Sequence, residues 1–178
     1  EIMPLTFLTY DPPSEGLMGK PPRDLNEHIL NRNTAIEVVF LGLMIGALSF
    51  GNYALFMWRE GITFSVDHTP MPLYGRATAM AYLTIAFCQF MNILSRRDER
   101  RSVFSGNFWS NPILLWSIVG SIGMLFVGVY APYVSDFLQF EALRPIDWLY
   151  VLGAAGVYLI TFEAMKLVKR LRTGPRAG

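Results

Sequence analysis

Few of the 178 residues in this chain are equipped for chemistry, and those few stand in apolar surroundings. Three oxygen-bearing side chains fall where water is not expected: Glu1, Gln89 and Glu163. Glu1 stands three residues before Pro4 in an apolar opening segment. If that segment is a half-helix broken at Pro4, the carboxylate lies beside unwound backbone carbonyls, which suits a hard cation because such ions take oxygen ligands. If Glu1 is only the edge of a piece, it has no such role, and the residues leave both readings open. Gln89 belongs to a row, Thr78, Tyr82, Ile85, Gln89 and Asn92, whose offsets of 4, 3, 4 and 3 place it on one helix face. It is either a ligand or wall of an ion path, or, with Asn92, interhelical hydrogen-bond glue, because an unsatisfied polar group in hydrocarbon is costly. Glu163 is the only acid deep in the last apolar run, a functional candidate by its position in the membrane. Lys166, three residues on, offers the structural alternative of an ion pair.

Other chemistries have no residues to support them. There is no glycine-rich phosphate loop, no Cys/His ligand spacing and no nucleophile elbow. His28 and His68 are isolated, and Cys88 is the single cysteine, so an intrachain disulfide is excluded. The net charge of +1 says nothing about partners, and no nucleic-acid partner is expected.

The elements that must position these residues are helices built for lipid. Hydrophobic residues make up 52% of the chain and charged ones 16%, with a mean hydropathy of +0.33; soluble domains carry about 25% charged residues. Residues 38–58 hold no charge and would span about 31 Å, the thickness of a bilayer's hydrocarbon core. The expected architecture is all-α and polytopic, with transmembrane helices over 34–58, 77–95, 110–132 and 147–169. Residues 1–9 form the end of a preceding helix, 10–33 a loop stiffened by Pro12-Pro13 and Pro21-Pro22, and 170–178 a tail. Lys and Arg concentrate in the loop, in the bridge Arg96-Arg97-Asp98-Glu99-Arg100-Arg101 and in the tail, which predicts that these three are cytoplasmic. Gly42 and Gly46 form a GxxxG face continued by Ser49 and Tyr53, with further glycines at 120, 123, 153 and 156. Small residues allow close helix approach, and packing of the four spans against each other accounts for them. An opening on half an apolar helix reads as a piece of something longer.

Two patterns then point to a family. Glu1-Ile2-Met3-Pro4 is followed by Asp11-Pro12-Pro13, Met18 and Pro21-Pro22-Arg23. With the stretches ATAMAYLTIAFCQFMNILSRR, NPILLWSIVGSIGM and LRPIDWLYVL…FEAMKLVKR, this resembles the C-terminal transmembrane region of type II cation-transporting P-type ATPases, the calcium pump and sodium/potassium pump group. The resemblance covers essentially the whole chain and identifies the four spans with family helices seven to ten. It implies a parent that couples ATP hydrolysis, through a phospho-aspartate, to cation movement. The phosphorylation motif and the nucleotide and actuator domains are absent from these residues, so Mg-ATP belongs to the parent and not to this chain.

By the resemblance, Glu1 matches an ion-binding Asp of helix six, Gln89 a helix-eight position that is Glu or Gln in different pumps, and Glu163 an acid of helix ten. Gly42 and Gly46 resemble the glycines on which helix seven packs against helix five. Glu in place of Asp at position 1 adds a methylene, and Gln89 is neutral, which weakens the case for two Ca²⁺ sites. The transported cation implied is Ca²⁺ or another metal cation, or Na⁺, K⁺ or H⁺. The partners implied are membrane lipid and the remaining helices and cytoplasmic domains of the pump. The alternative is a free-standing four-helix membrane scaffold or regulatory subunit without catalytic activity.

Overall fold

The structure, a computed structural model, describes residues 2–10, 32–62, 71–97 and 111–173. Its elements are α1 (Ile2–Phe7), which tightens into a 3-10 turn at Leu8–Tyr10, then α2 (Arg32–Arg59), α3 (Met71–Arg96), α4 (Pro112–Tyr130), α5 (Pro132–Leu138) and α6 (Pro145–Thr173). Among the described residues there is no strand, and four helices (α2, α3, α4 and α6) are long and apolar enough to cross a membrane. The all-α, four-span architecture expected from the sequence is the one observed.

Local chemistry sets the helix ends. Asn111 caps α4, its side-chain oxygen accepting the Leu114 N–H at 3.0 Å with Pro112 next in line. Pro132 lacks an N–H and pushes the residue before it out of helical geometry; Ala131 is extended (φ −78°, ψ 120°), and the chain restarts as α5. α5 was not anticipated, because the apolar run of residues 108–135 carries no charge to mark the break. It ends at Gln139, in the left-handed region at φ 55°. α6 begins at Pro145, and the Asp147 carboxylate reaches back to accept the Arg144 N–H at 2.9 Å, half of a capping box.

α3 is the central helix. Over its most apolar stretch 56% of residues are buried, against 17% for α2 and for α4. On one side Ala77, Met80, Leu83 and Phe87 meet Phe56 and Met57 of α2 and Val151 and Ala155 of α6. Further along, Cys88 joins Leu41 and Ile45 of α2 with Tyr158 and Phe162 of α6. On the other side Phe90 and Ile93 meet Leu114 and Ile118 of α4, with Phe7 and Leu8 packed against them. Alanines at 77, 79 and 86, all buried, keep neighbouring backbones close to α3, as helix association in lipid requires.

An aromatic group fixes α4 to α6 at one end. Trp148 stacks on Phe126 at 4.8 Å and donates its indole N–H to the Tyr130 hydroxyl at 2.9 Å. Such amphipathic rings belong at the membrane–water boundary. Trp58 and Trp116 are exposed, as a lipid-facing surface permits, and Trp109 lies outside the described residues.

Candidate functional site

The polar row on α3 is the one described surface where oxygen donors line up on a face that the fold leaves partly open. Tyr82 and Ile85 are exposed, and Gln89 and Asn92 are half-buried. Asn92 donates its amide N–H to Gln89 Oε1 at 3.5 Å, and Arg96 donates its Nε–H to Asn92 Oδ1 at 3.1 Å. Gln89 and Asn92 are thus joined along α3 to each other and to Arg96. The hydrogen bonds that cross between helices are made elsewhere. The first long bond between Gln89 and Asn92 leaves the Gln89 oxygen a second lone pair for another donor or a cation.

Glu163 stands on α6 beside Phe162, whose ring Arg96 of the α3 row overlies at 5.8 Å. Its carboxylate accepts from Lys166 Nζ at 3.2 Å, and Lys166, 5% exposed, also lies over the Phe162 ring at 5.4 Å. A buried ammonium needs a counter-charge, and the acid three residues back on the same helix supplies it. The geometry therefore pairs Glu163 with a cation of its own helix. Close by, Lys169 of α6 pairs with Glu37 of α2.

Glu1 and residues 11–31 lie outside the described residues, as do His28, His68, residues 98–101 of the basic bridge and the last residues of the tail. The element that follows Glu1 is placed. α1 packs along α4 and touches α3, with Pro4 buried, and the Phe7 carbonyl accepts from Asn111 Nδ2 at 3.2 Å. Asn111 thereby caps one helix and anchors the end of another. This brings α1 against the stripe of α3 that holds Phe90, Ile93 and Leu94, beside the row holding Gln89 and Asn92.

Gly42 and Gly46 are exposed, and a Cβ added to either meets nothing within 4 Å. The same holds at Gly120, Gly123, Gly153 and Gly156. Farther along α2 the same face does pack within the unit, where Ser49, buried, donates to the Ala81 carbonyl of α3 at 3.0 Å, and beside the glycines the adjoining stripe of Leu41 and Ile45 makes the contact. Asn52, 5% exposed, donates to Thr84 Oγ1 of α3 at 2.8 Å and to the Tyr150 carbonyl of α6 at 3.2 Å, so one amide ties three helices together.

Two residues of this framework escaped the sequence reading: Asn52 and Asp147. Asp147 is fully buried and pairs with Arg59, whose guanidinium also lies over the Phe56 and Tyr150 rings at 5.3 and 5.4 Å. Arg59 ends α2 and Asp147 opens α6, so each charge also sits at the helix end whose dipole favours it. In the sequence Asp147 stands at the edge of an apolar run, and only its proximity to Arg59, far away in sequence, marks it as a buried ion-pair partner.

The described residues offer a cation little by themselves. Among them no three His, Cys, Asp or Glu side chains gather, while Ca²⁺ takes about 6–8 oxygen ligands. Within the four spans Glu37, Asp147 and Glu163 are each held by a basic partner, which leaves there the neutral oxygens of the α3 row. The arrangement can form one wall of a cation site and cannot close it.

Comparison with known proteins agrees with this incompleteness. The family described as "Cation transporting ATPase, C-terminus" matches residues 1–168. The chain is 31% identical over 175 residues to the calcium-transporting ATPase type 2C member 2 of Rattus norvegicus, covering 98% of this chain and 17% of that protein. It is 31% identical over 170 residues to the type 2C member 1 of Homo sapiens, with 95% and 17% covered. A more distant relative, the endoplasmic reticulum-type calcium-transporting ATPase 4 of Arabidopsis thaliana, is 24% identical over 217 residues, with 97% and 20% covered. The chain spans about a sixth of the length of these two type 2C relatives.

Proposed function

This chain belongs to the family of cation-transporting ATPase C-terminal regions, an integral multi-pass membrane module, and on that premise we propose that it supports and partly lines the ion path of an ATP-driven cation pump. The observation that carries this is the half-open polar row of α3. Gln89 and Asn92 face outward from the unit without the carboxylates that a complete site needs, so the remaining ligands come from helices outside the chain. Glu1, ahead of an α1 that packs beside that row, is the acid best placed by sequence to contribute one of them.

In this reading the loop at 10–33, the basic bridge and the tail face the cytoplasm, as their Lys and Arg excess favours. ATP hydrolysis and Mg-ATP binding reside in the parent's cytoplasmic domains. The transported ion is a cation held mainly by oxygen, Ca²⁺ being the one named for the relatives. A neutral Gln89 fits a single Ca²⁺ site, or a site for another cation, better than a pair of Ca²⁺ sites. Glu163, paired with Lys166, serves as a structural charge in α6. The open face at Gly42 and Gly46 receives a helix of the parent.

The test is cation-dependent phosphorylation of the full-length protein. Glu1→Ala is expected to abolish it, and Gln89→Leu to weaken apparent cation affinity about tenfold, the loss of about 1.4 kcal/mol. Unchanged cation affinity in both variants would overturn the reading.

A further inference from the structure

The seven residues of α5 follow α4 after a single extended residue and carry a surface that the transport reading does not use. At about 100° per residue, Tyr133, Phe137, Val134 and Leu138 fall on one contiguous arc, and Ser135, Asp136 and the capping Gln139 on the other. The structure follows that division. Tyr133 and Phe137 are 91% and 86% exposed, the most open aromatic side chains among the described residues. Leu138 turns back onto α4, within 3.8 Å of where a Cβ on Gly128 would stand. The polar arc lines a cavity of about 290 Å³ with Met71 and Tyr74 of α3 and the turn at Phe140 and Glu141.

We propose that α5 is an in-plane interfacial helix whose Tyr133–Phe137 face seats in the bilayer surface at the C-terminal end of α4, against zwitterionic phospholipid. The 19 residues of α4 span about 28 Å, the hydrocarbon thickness, so its last turn ends at the headgroup boundary and α5 starts there. The last turns of α4 are themselves open to lipid, with Met124, Val127 and Tyr130 exposed. An amphipathic helix at that level buries its apolar face about 5–10 Å into the headgroup and acyl boundary. The headgroup class follows from charge. Residues 131–143 contain Asp136 and Glu141 and no Lys or Arg, so an anionic lipid surface would be repelled. Of the bases beside this segment, Arg144 is paired with Glu60 at 3.2 Å, and Arg76 of α3, which donates to the Ala142 carbonyl at 3.0 Å, is one cation against the two acids.

The experiment places a fluorophore on cysteine at Phe137→Cys and, separately, at Tyr133→Cys, in the full-length protein freed of other reactive cysteines. The protein is reconstituted in phosphatidylcholine vesicles carrying spin-labelled lipid. Both positions are expected to be quenched about twofold more by a headgroup-level spin label than by one at the chain ends. Replacing half the phosphatidylcholine by phosphatidylserine should leave that quenching no stronger. A label at Met124→Cys, on the exposed side of α4, should be quenched by the chain-end probe. Failure at Met124 would refute the spanning of α4, on which the proposal rests. Quenching at Met124 with none at 133 and 137, whether water or a protein partner covers them, overturns the proposal alone. Quenching that appears only with phosphatidylserine overturns the choice of lipid.

Discussion

A Cβ on Gly75 would stand 2.6 Å from the Gln139 carbonyl oxygen and 3.3 Å from the Glu141 side chain. The neighbour is backbone and sits in a turn held at φ 55°, with little freedom to retreat. Gly75→Ala is therefore expected to destabilise the unit by about 1–3 kcal/mol through overpacking, read as a lower unfolding temperature of the purified protein in detergent. Gly123→Ala, where a Cβ meets nothing within 4 Å, is the matched control and should leave it unchanged. Nothing in the sequence marks Gly75, between Tyr74 and Arg76 near the start of α3, as the tighter of the two. The difference is made by the turn after α5, which comes more than sixty residues after Gly75. The same is true of Asn52, whose two interhelical bonds depend on the register of α3 and α6 against α2. Gln89 and Asn92 were legible as polar residues on one face, because a period of 3.6 is a property of the helix alone.

At the scale of elements, α2 and α6 run antiparallel with an ion pair at each end. Glu37 and Arg59 on α2 are twenty-two residues apart, and so are Asp147 and Lys169 on α6, a separation of about 33 Å along each axis. Between them the apolar cluster of Leu41, Ile45, Tyr158 and Phe162 keeps the same register. The two clamps differ in environment. Asp147 is fully buried and Lys169 is 59% exposed. Asp147→Ala leaves Arg59 only its longer contact with Glu60 at 3.7 Å and removes the acceptor for the Arg144 N–H, and is expected to cost about 3 kcal/mol. Lys169→Ala should cost less than about 1 kcal/mol. Unfolding of both variants in detergent checks the contrast, and equal effects would show that burial does not rank these pairs. The four helices were legible as apolar runs long enough for a bilayer, three of them with an uncharged core and the last carrying Glu163 and Lys166. Their pairing was not, because a helix that is apolar all round does not announce which side meets protein and which meets lipid.

For the molecule as a whole, the question is which surfaces are closed within the chain. The cores between α3 and its neighbours are closed, and the Gly42–Gly46 face is open. Gly42→Leu should therefore leave the stability of the purified chain within about 0.5 kcal/mol. In the full-length protein it should lower assembly, measured as the yield of folded monomer on size-exclusion chromatography, because a large side chain would hold the incoming helix away. Loss of stability already in the purified chain would show that the face is used internally. Composition and charge-free length determined that this protein is helical and built for a membrane, because lipid leaves a chain few other ways to satisfy its backbone. The proline-rich opening pattern, with the stretches that follow it, determined the family. Only the tertiary structure decided that the glycine face stays open, that Asp147 is a buried partner of Arg59, and that a short aromatic helix follows α4. Each of these depends on a neighbour brought near by packing, or on a break made by one proline within an uncharged run, and neither is marked by hydropathy along the chain.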